Sequence, residues 1–405
     1  MTSKVHAYTS ITTNYLPKAR VLAESIKGVD PSVMFHLVLS DELPDGFELE
    51  HEPFDTIIFA DSLPIENFNS WVFSHSVVEL CTAVKGITLE HIFDKYNADK
   101  VFYFDPDMVV FSRLDELEDE LNSNSVLLTP HQTEPEKSLT AVIDNEICSL
   151  RHGVFNLGFL GVRNDNEGRR FSKWWSDRLL SFCHDDNPKG LFTDQKWVNL
   201  APCFFDRIKV LRSPAFNVAT WNLSSRQATG SLENGILING EPLGFYHFSG
   251  FDSGGQEFML NRYGKQSPVL FELRKWYVEQ CERHGQSILG KQAYKYGVFD
   301  DDTPISNAHR IIYRKREDLQ KAYPEPFSTR NKGGYKSWFE THAYTEQPEI
   351  CGVMNVPSDA SFTDVVSDMA NYFDRIANSD KANNLVKRFL LKVIAGSMRL
   401  GVRIL

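Results

Sequence analysis

Cysteine is scarce and scattered. The 6 residues Cys81, Cys148, Cys183, Cys203, Cys281 and Cys351 form no CxxC pair, so the spacing implies neither a zinc site nor a disulfide framework. Cationic residues are outnumbered, 43 Lys and Arg against 54 Asp and Glu, and a net charge of -11 argues against broad nucleic-acid binding. Long apolar runs are missing, so no segment reads as a membrane span. The polar start, residues 1–8, lacks the apolar core of a signal peptide. There is no internal repeat and no low-complexity tract. These absences together lead us to expect a chain working in a reducing cytoplasm.

What is present suits a large α/β protein. The 405 residues exceed one small core and fit one large domain with additions, or two domains. The 29 Phe, 14 Tyr and 7 Trp can build a core and also stack on bases and sugar faces. Short buried runs at 5–9, 34–39, 56–59 and 101–104 read as strands. Helical spacing runs from Pro17 to Gly28, through 71–85 and through 89–96. Alternation of this kind predicts a mostly parallel sheet with helices on both faces, and such sheets bind ligands at the carboxyl ends of their strands. Further on, 126–129, 155–162 and 245–248 read as strands, and 168–182 and 194–200 as helices. The catalytic domain is expected to span 1–255, an α-helical extension 256–343, and a linker with basic amphipathic helices 344–405.

The central signal is Val101-Phe102-Tyr103-Phe104-Asp105-Pro106-Asp107-Met108-Val109-Val110. Alternate residues of a strand point to opposite faces. Where the chain turns after a buried strand, however, two carboxylates two apart can converge on one cation. Hard oxygen ligands suit Mn²⁺ or Mg²⁺, which leave positions open for phosphate oxygens and offset charge on a leaving diphosphate. Two solvated acids in a turn would be the plainer reading.

The order of five segments resembles that of the family 8 glycosyltransferases of the GT-A fold, which include glycogenin and the galactosyltransferases of lipopolysaccharide synthesis. In the first, Ala7-Tyr8-Thr9-Ser10-Ile11-Thr12, the resemblance implies a cradle for base and ribose, with Thr9, Ser10 and Thr12 as donor contacts. In the second it makes Lys85 a cation that reaches the donor, where a solvated surface lysine is the alternative. The third is Asp105-Pro106-Asp107, with Asp105 also touching the donor. The fourth joins Phe155-Asn156-Leu157-Gly158-Phe159 to Thr193-Asp194-Gln195. Asn156 would contact the donor sugar, Asp194 its hydroxyls, and Gln195 would lie beneath the anomeric carbon; a turn asparagine and a helix N-cap are the alternatives. The fifth is Tyr246-His247-Phe248-Ser249-Gly250, with His247 as the third metal ligand beside Asp105 and Asp107. The family's Lys-Pro-Trp segment after this histidine is replaced by Phe251-Asp252-Ser253-Gly254-Gly255. The grip on phosphate therefore passes to Lys265, Arg262 or backbone amides, and Asp252 would be the candidate base were the transfer inverting instead of retaining.

The resemblance implies a metal-dependent, retaining transfer from a nucleotide-diphosphate sugar, with a UDP-sugar favoured. The acceptor would be a glycan or a lipid-linked sugar, as in bacterial surface-polysaccharide synthesis. Residues 299–304 with Arg310, Tyr313 and Arg314 are similar to segments that follow such domains in bacterial enzymes. The tail carries Lys387, Arg388, Lys392, Arg399 and Arg403 among apolar residues. It suits either a peripheral contact with the inner face of the cytoplasmic membrane or packing on protein. Two other functions stand beside the transferase. One is a phosphohydrolase with Asp105 as nucleophile. The other is a sugar-binding module without catalysis.

Overall fold

Seven residues, Val5–Ile11 (β1), are buried along their whole length, as a strand must be when helices cover both faces of its sheet. Val5, Ala7 and Ile11 share an apolar cluster with Ala19, Leu22, Ala23 and Ile26 of Leu16–Val29 (α1). Tyr8, pointing the other way, donates through its hydroxyl to the carbonyl of Lys85 in Val77–Tyr96 (α2), 2.9 Å away. The two helices thus lie on opposite faces, set by the period-2 alternation of the strand.

The computed structural model describes residues 4–330 and 333–351. Around β1 stand Met34–Leu39 (β2), Thr56–Phe59 (β3), Lys100–Phe104 (β4), Val126–Pro130 (β6), Phe155–Arg163 (β7) and Ile208–Val210 (β8). The sheet order is β8-β6-β7-β4-β1-β2-β3. Every neighbouring pair is parallel except the two made by β7, so the sheet is mostly parallel, as expected. Two short strands, Met108–Val110 (β5) and Phe245–His247 (β9), form an antiparallel pair outside this sheet, and the helix Asp115–Ser123 (α3) follows β5.

Two helices were predicted within 71–85 and 89–96, but the chain builds one long helix there, α2, preceded by the short helix Phe68–Phe73. A capping box of Ser76 and Glu79 starts α2. Gly86 does not break it. A Cβ at Gly86 would stand 2.6 Å from the Cα of Ser176, so the glycine admits the backbone of Asn166–Phe182 (α4) at close range. Residues 309–323 read from the sequence as one helix, but the structure interrupts it at Arg316, giving Asn307–Lys315 and Glu317–Ala322. The run predicted as helical from 194 becomes helical only at Lys196.

Among the described residues two compact units meet at the Val298–Phe299 boundary. Within the first unit, helices Gly255–Tyr263 (α5) and Val269–Arg283 (α6) send Leu260, Leu273 and Tyr277 into a cluster with Val21, Val109 and Phe248. In the second unit Tyr313 and Tyr335 meet edge to face at 4.9 Å. The basic tail helices predicted at 362–377 and 381–405, and the membrane contact read from them, lie outside the described residues. Among the described residues no helix is long and apolar enough to cross a membrane.

Candidate active site at the end of the central strands

Strand β4 stops at Phe104, and the chain turns at once. The Asp105 amide donates to the Gly158 carbonyl at 2.7 Å, and the Met108 amide donates back to the Asp105 carbonyl at 3.1 Å. The reversed chain becomes β5, whose partner β9 aligns His247 with Met108. This register brings His247 Nε2 to 3.1 Å from Asp107 Oδ1 and 3.8 Å from Asp105 Oδ2. One ligand atom from each of the three residues lies within 4.8 Å of the others. Two carboxylate oxygens and an imidazole nitrogen are a donor set that fits a divalent ion such as Mn²⁺ or Mg²⁺. Burial disfavours charge on both groups, yet their mutual attraction wins: His247 is raised above its ordinary value and Asp107 held below its own.

The second layer is built from β7. Asn156 Oδ1 lies 3.2 Å from His247 Nδ1 and also accepts from Asn217 Nδ2 at 3.0 Å. It thereby orients the imidazole so that Nε2 faces the acids. Gly158 is required by space. A Cβ there would lie 2.6 Å from His247 Cε1, 2.7 Å from Met108 Cε and 2.8 Å from Asn156 Oδ1. Asn156 sits within a strand and is not a turn residue. Gln195 Oε1 accepts from the Leu157 amide at 3.1 Å and from Asn156 Nδ2 at 3.3 Å, while its Nε2 donates to the His152 carbonyl at 3.1 Å.

Lys85 is no surface lysine, being 2% exposed. Its ammonium donates to Asp194 Oδ2 at 2.8 Å, to Asp105 Oδ1 at 3.2 Å and to the Leu157 carbonyl at 3.2 Å. Burial opposes this charge, but Asp105 and Asp194 outweigh it and hold the ammonium protonated, above its usual range. Tyr103 completes the group by donating to Asp105 Oδ1 at 2.6 Å. Asp194 therefore spends its carboxylate on Lys85. It is not a helix cap, since no side chain caps the helix Lys196–Leu200.

Thr9 and Ser10 lie near the carboxyl end of β1 on opposite faces, and both hydroxyls are buried without a hydrogen-bond partner among the described residues. Thr12 Oγ1 donates to Asn14 at 2.6 Å. Of the cations considered for phosphate, Arg262 pairs with Asp144 at 3.0 Å, and Lys265 is exposed.

Several residues close to this site escaped the sequence reading. Asn217 is one. Trp221 is another, its ring meeting that of His247 edge on at 5.2 Å. His131 also packs on Trp221, and burial pushes it down to about 4, so its ring is neutral at pH 7. Lys18, in the first turn of α1, has a side chain 1% exposed and pairs with Asp252. Lys18 had left a signal: a cation in the first turn of a helix opposes the macrodipole.

No family model matches the chain. Over 262 residues it is 28% identical to the uncharacterised protein YfnD of Bacillus subtilis strain 168, covering 60% of this chain and 81% of that one. To the uncharacterised YfnF of the same organism it is 28% identical over 178 residues, 43% of this chain and 57% of YfnF. The chain thus spans little more than half of YfnF. Among solved structures it is similar to the galactosyltransferase LgtC in complex with donor and acceptor sugar analogs, at 15% identity and a TM-score of 0.40, covering 69% and 95% of the two chains. It is also similar to the glycosyltransferase GlyE of Streptococcus pneumoniae TIGR4, at 15% identity and a TM-score of 0.38, covering 74% and 67%. Likenesses this distant decide nothing about the chemistry, which has to be argued from the site.

Proposed function

We propose that this chain is a metal-dependent glycosyltransferase of the GT-A type, moving a sugar from a nucleotide-diphosphate sugar to a glycan or lipid-linked acceptor. The observation that carries the reading is the convergence of Asp105, Asp107 and His247 at the carboxyl end of β4, within reach of one ion. An α/β sheet binds its ligands at that end. When bound, Mn²⁺ or Mg²⁺ would supply a positive charge that lowers the cost of a departing diphosphate.

The chain's own residues divide the remaining work. Asn156 fixes the tautomer and direction of His247. Lys85 holds Asp105 and Asp194 in place and offsets the repulsion between a part-exposed and a buried carboxylate. The buried hydroxyls of Thr9 and Ser10 are unsatisfied donors at the strand end where base and ribose would lie. Gln195, wedged between β7 and His152, offers its amide beside the sugar position. In a retaining course the acceptor oxygen bonds to the anomeric carbon on the face that the diphosphate leaves. The acceptor proton passes to the departing phosphate oxygen, so no separate carboxylate base is needed. Synthesis of a bacterial surface polysaccharide is the setting this chemistry suits.

The deciding experiment incubates the chain with Mn²⁺ and a panel of nucleotide sugars, and separately with an aryl phosphate. Metal-dependent release of nucleoside diphosphate is the expected result. Cleavage of the aryl phosphate would replace the transferase by a phosphohydrolase, and no turnover with either, without metal-dependent donor binding, would leave a binding module.

A further inference from the structure

Lys85 has no N–H left to give. An ammonium carries three donors, and Lys85 directs them to Asp105, Asp194 and the Leu157 carbonyl. A diphosphate brought to Asp105, Asp107 and His247 therefore needs a cation from elsewhere in the chain. Arg262 is already paired with Asp144.

Lys18 differs. Its side chain is as buried as that of Lys85, yet it makes one hydrogen bond among the described residues, to Asp252 Oδ2 at 2.5 Å. Its ammonium rests 3.9 Å from the centre of the Tyr15 ring. Tyr15 donates its hydroxyl to the same oxygen, Asp252 Oδ2, at 2.6 Å. Asp252 itself is 48% exposed. A buried cation is thus covered by a carboxylate that loses little by returning to water. Asp252 follows the His247 strand by five residues, so the partner of Lys18 stands on the segment leading directly from the metal cluster. The Phe248 amide donates to the Asp107 carbonyl at 2.8 Å, the Phe251 amide donates to the Phe248 carbonyl at 3.1 Å, and the Lys18 ammonium stands 5.8 Å from the centre of the Phe251 ring. Lys18 also lies in the first turn of the 14-residue helix α1. Helix N-terminus and ammonium both attract an anion there, against the preference of the helix alone for an acidic residue.

We propose that Lys18 is a diphosphate-binding residue of this site, and that Asp252 is a stand-in anion which the donor's diphosphate displaces. The inference rests on the transferase reading and names the partner exchange by which its site receives a donor.

The test measures, by calorimetry on the full chain with Mn²⁺, binding of the tightest of UDP, GDP, CDP and ADP, and of the matching nucleoside. Lys18→Met is expected to weaken nucleoside diphosphate binding by at least about tenfold, while nucleoside binding stays within about twofold. Asp252→Asn, which keeps the shape and removes the competing charge, is expected to tighten nucleoside diphosphate binding by a few-fold. Equal losses in both variants would make the pair a structural clamp and overturn the inference, as would unchanged binding by Lys18→Met. Should Lys18→Met not fold, Asp252→Asn decides alone: tighter binding supports the exchange, and equal or weaker binding overturns it. Absence of Mn²⁺-dependent binding by the unaltered chain would instead remove the transferase reading, and the inference with it.

Discussion

Lys85 and Lys18 are buried to the same depth and are neutralised in opposite ways. Lys85 is enclosed by two acids and a carbonyl, with Asp194 as deeply buried as the lysine itself. Lys18 meets one acid, and that acid is half in water. The first arrangement is closed: each charge depends on the others, and removing one leaves the rest stranded in a medium that does not solvate them. The second is open on one side. Burial of a lysine alone does not separate a structural ion pair from an exchangeable one; the exposure of its partner does.

Breaking that comparison begins at the acids of the metal cluster. Asp107→Ala removes a ligand atom without stranding a buried partner of Lys85. Turnover with Mn²⁺ should fall by about 1000-fold, equivalent to about 4 kcal/mol of lost charge stabilisation, with the melting temperature nearly unchanged. Turnover within a few-fold of the parent would reject the metal assignment. Lys85→Met should act on the fold, because it leaves Asp105 and Asp194 without their counter-charge. A loss of about 3–5 kcal/mol in urea unfolding is expected. Lys18→Met should cost clearly less, since Asp252 can turn to solvent. Equal losses would erase the distinction between the lysines.

Two finer measurements sharpen it. Gly158→Ala should destabilise by about 1–3 kcal/mol and weaken Mn²⁺ binding, because the added methyl meets His247, Met108 and Asn156 at once. A stable variant with intact Mn²⁺ affinity would show that the imidazole can move aside. The pH dependence gives the smallest effect. Asp107 and Asp105 raise His247 against the opposing influence of burial, and its proton must leave before the nitrogen can bind an ion. Mn²⁺ affinity should therefore decline as pH falls, with a midpoint above the ordinary imidazole value of about 6.5. The decline should disappear in His247→Gln. A midpoint well below that value would mean that the acids do not act on the ring as described.

Much of this site was legible because its residues sit beside strong strand signals. Met34–Leu39 and Thr56–Phe59 match the predicted limits, being short runs rich in β-branched and aromatic residues between turn formers. The strand before Asp105 was equally plain. Long-range pairings were not. The gap between the helices expected over 71–85 and 89–96 holds Gly86, whose partner, Ser176, lies far along the chain. Lys18 went unnoticed because its partner, Asp252, is more than two hundred positions away. The hairpin Ala228–Ser231 with Gly235–Ile238 escaped altogether, since its strands bury few residues and carry weak alternation.

The tight seam at Gly86 has a reach beyond the two helices it joins. On the α4 side, one residue before Ser176, the indole of Trp175 touches the carbonyl of Asp194 at 3.4 Å. A methyl group at position 86 would push α4 outward and carry Trp175 with it. The Asp194 backbone would lose its rest, and the carboxylate that steadies Lys85 would shift. A single hydrogen atom, serving as the side chain of Gly86, thus sets the aim of an acid inside the site.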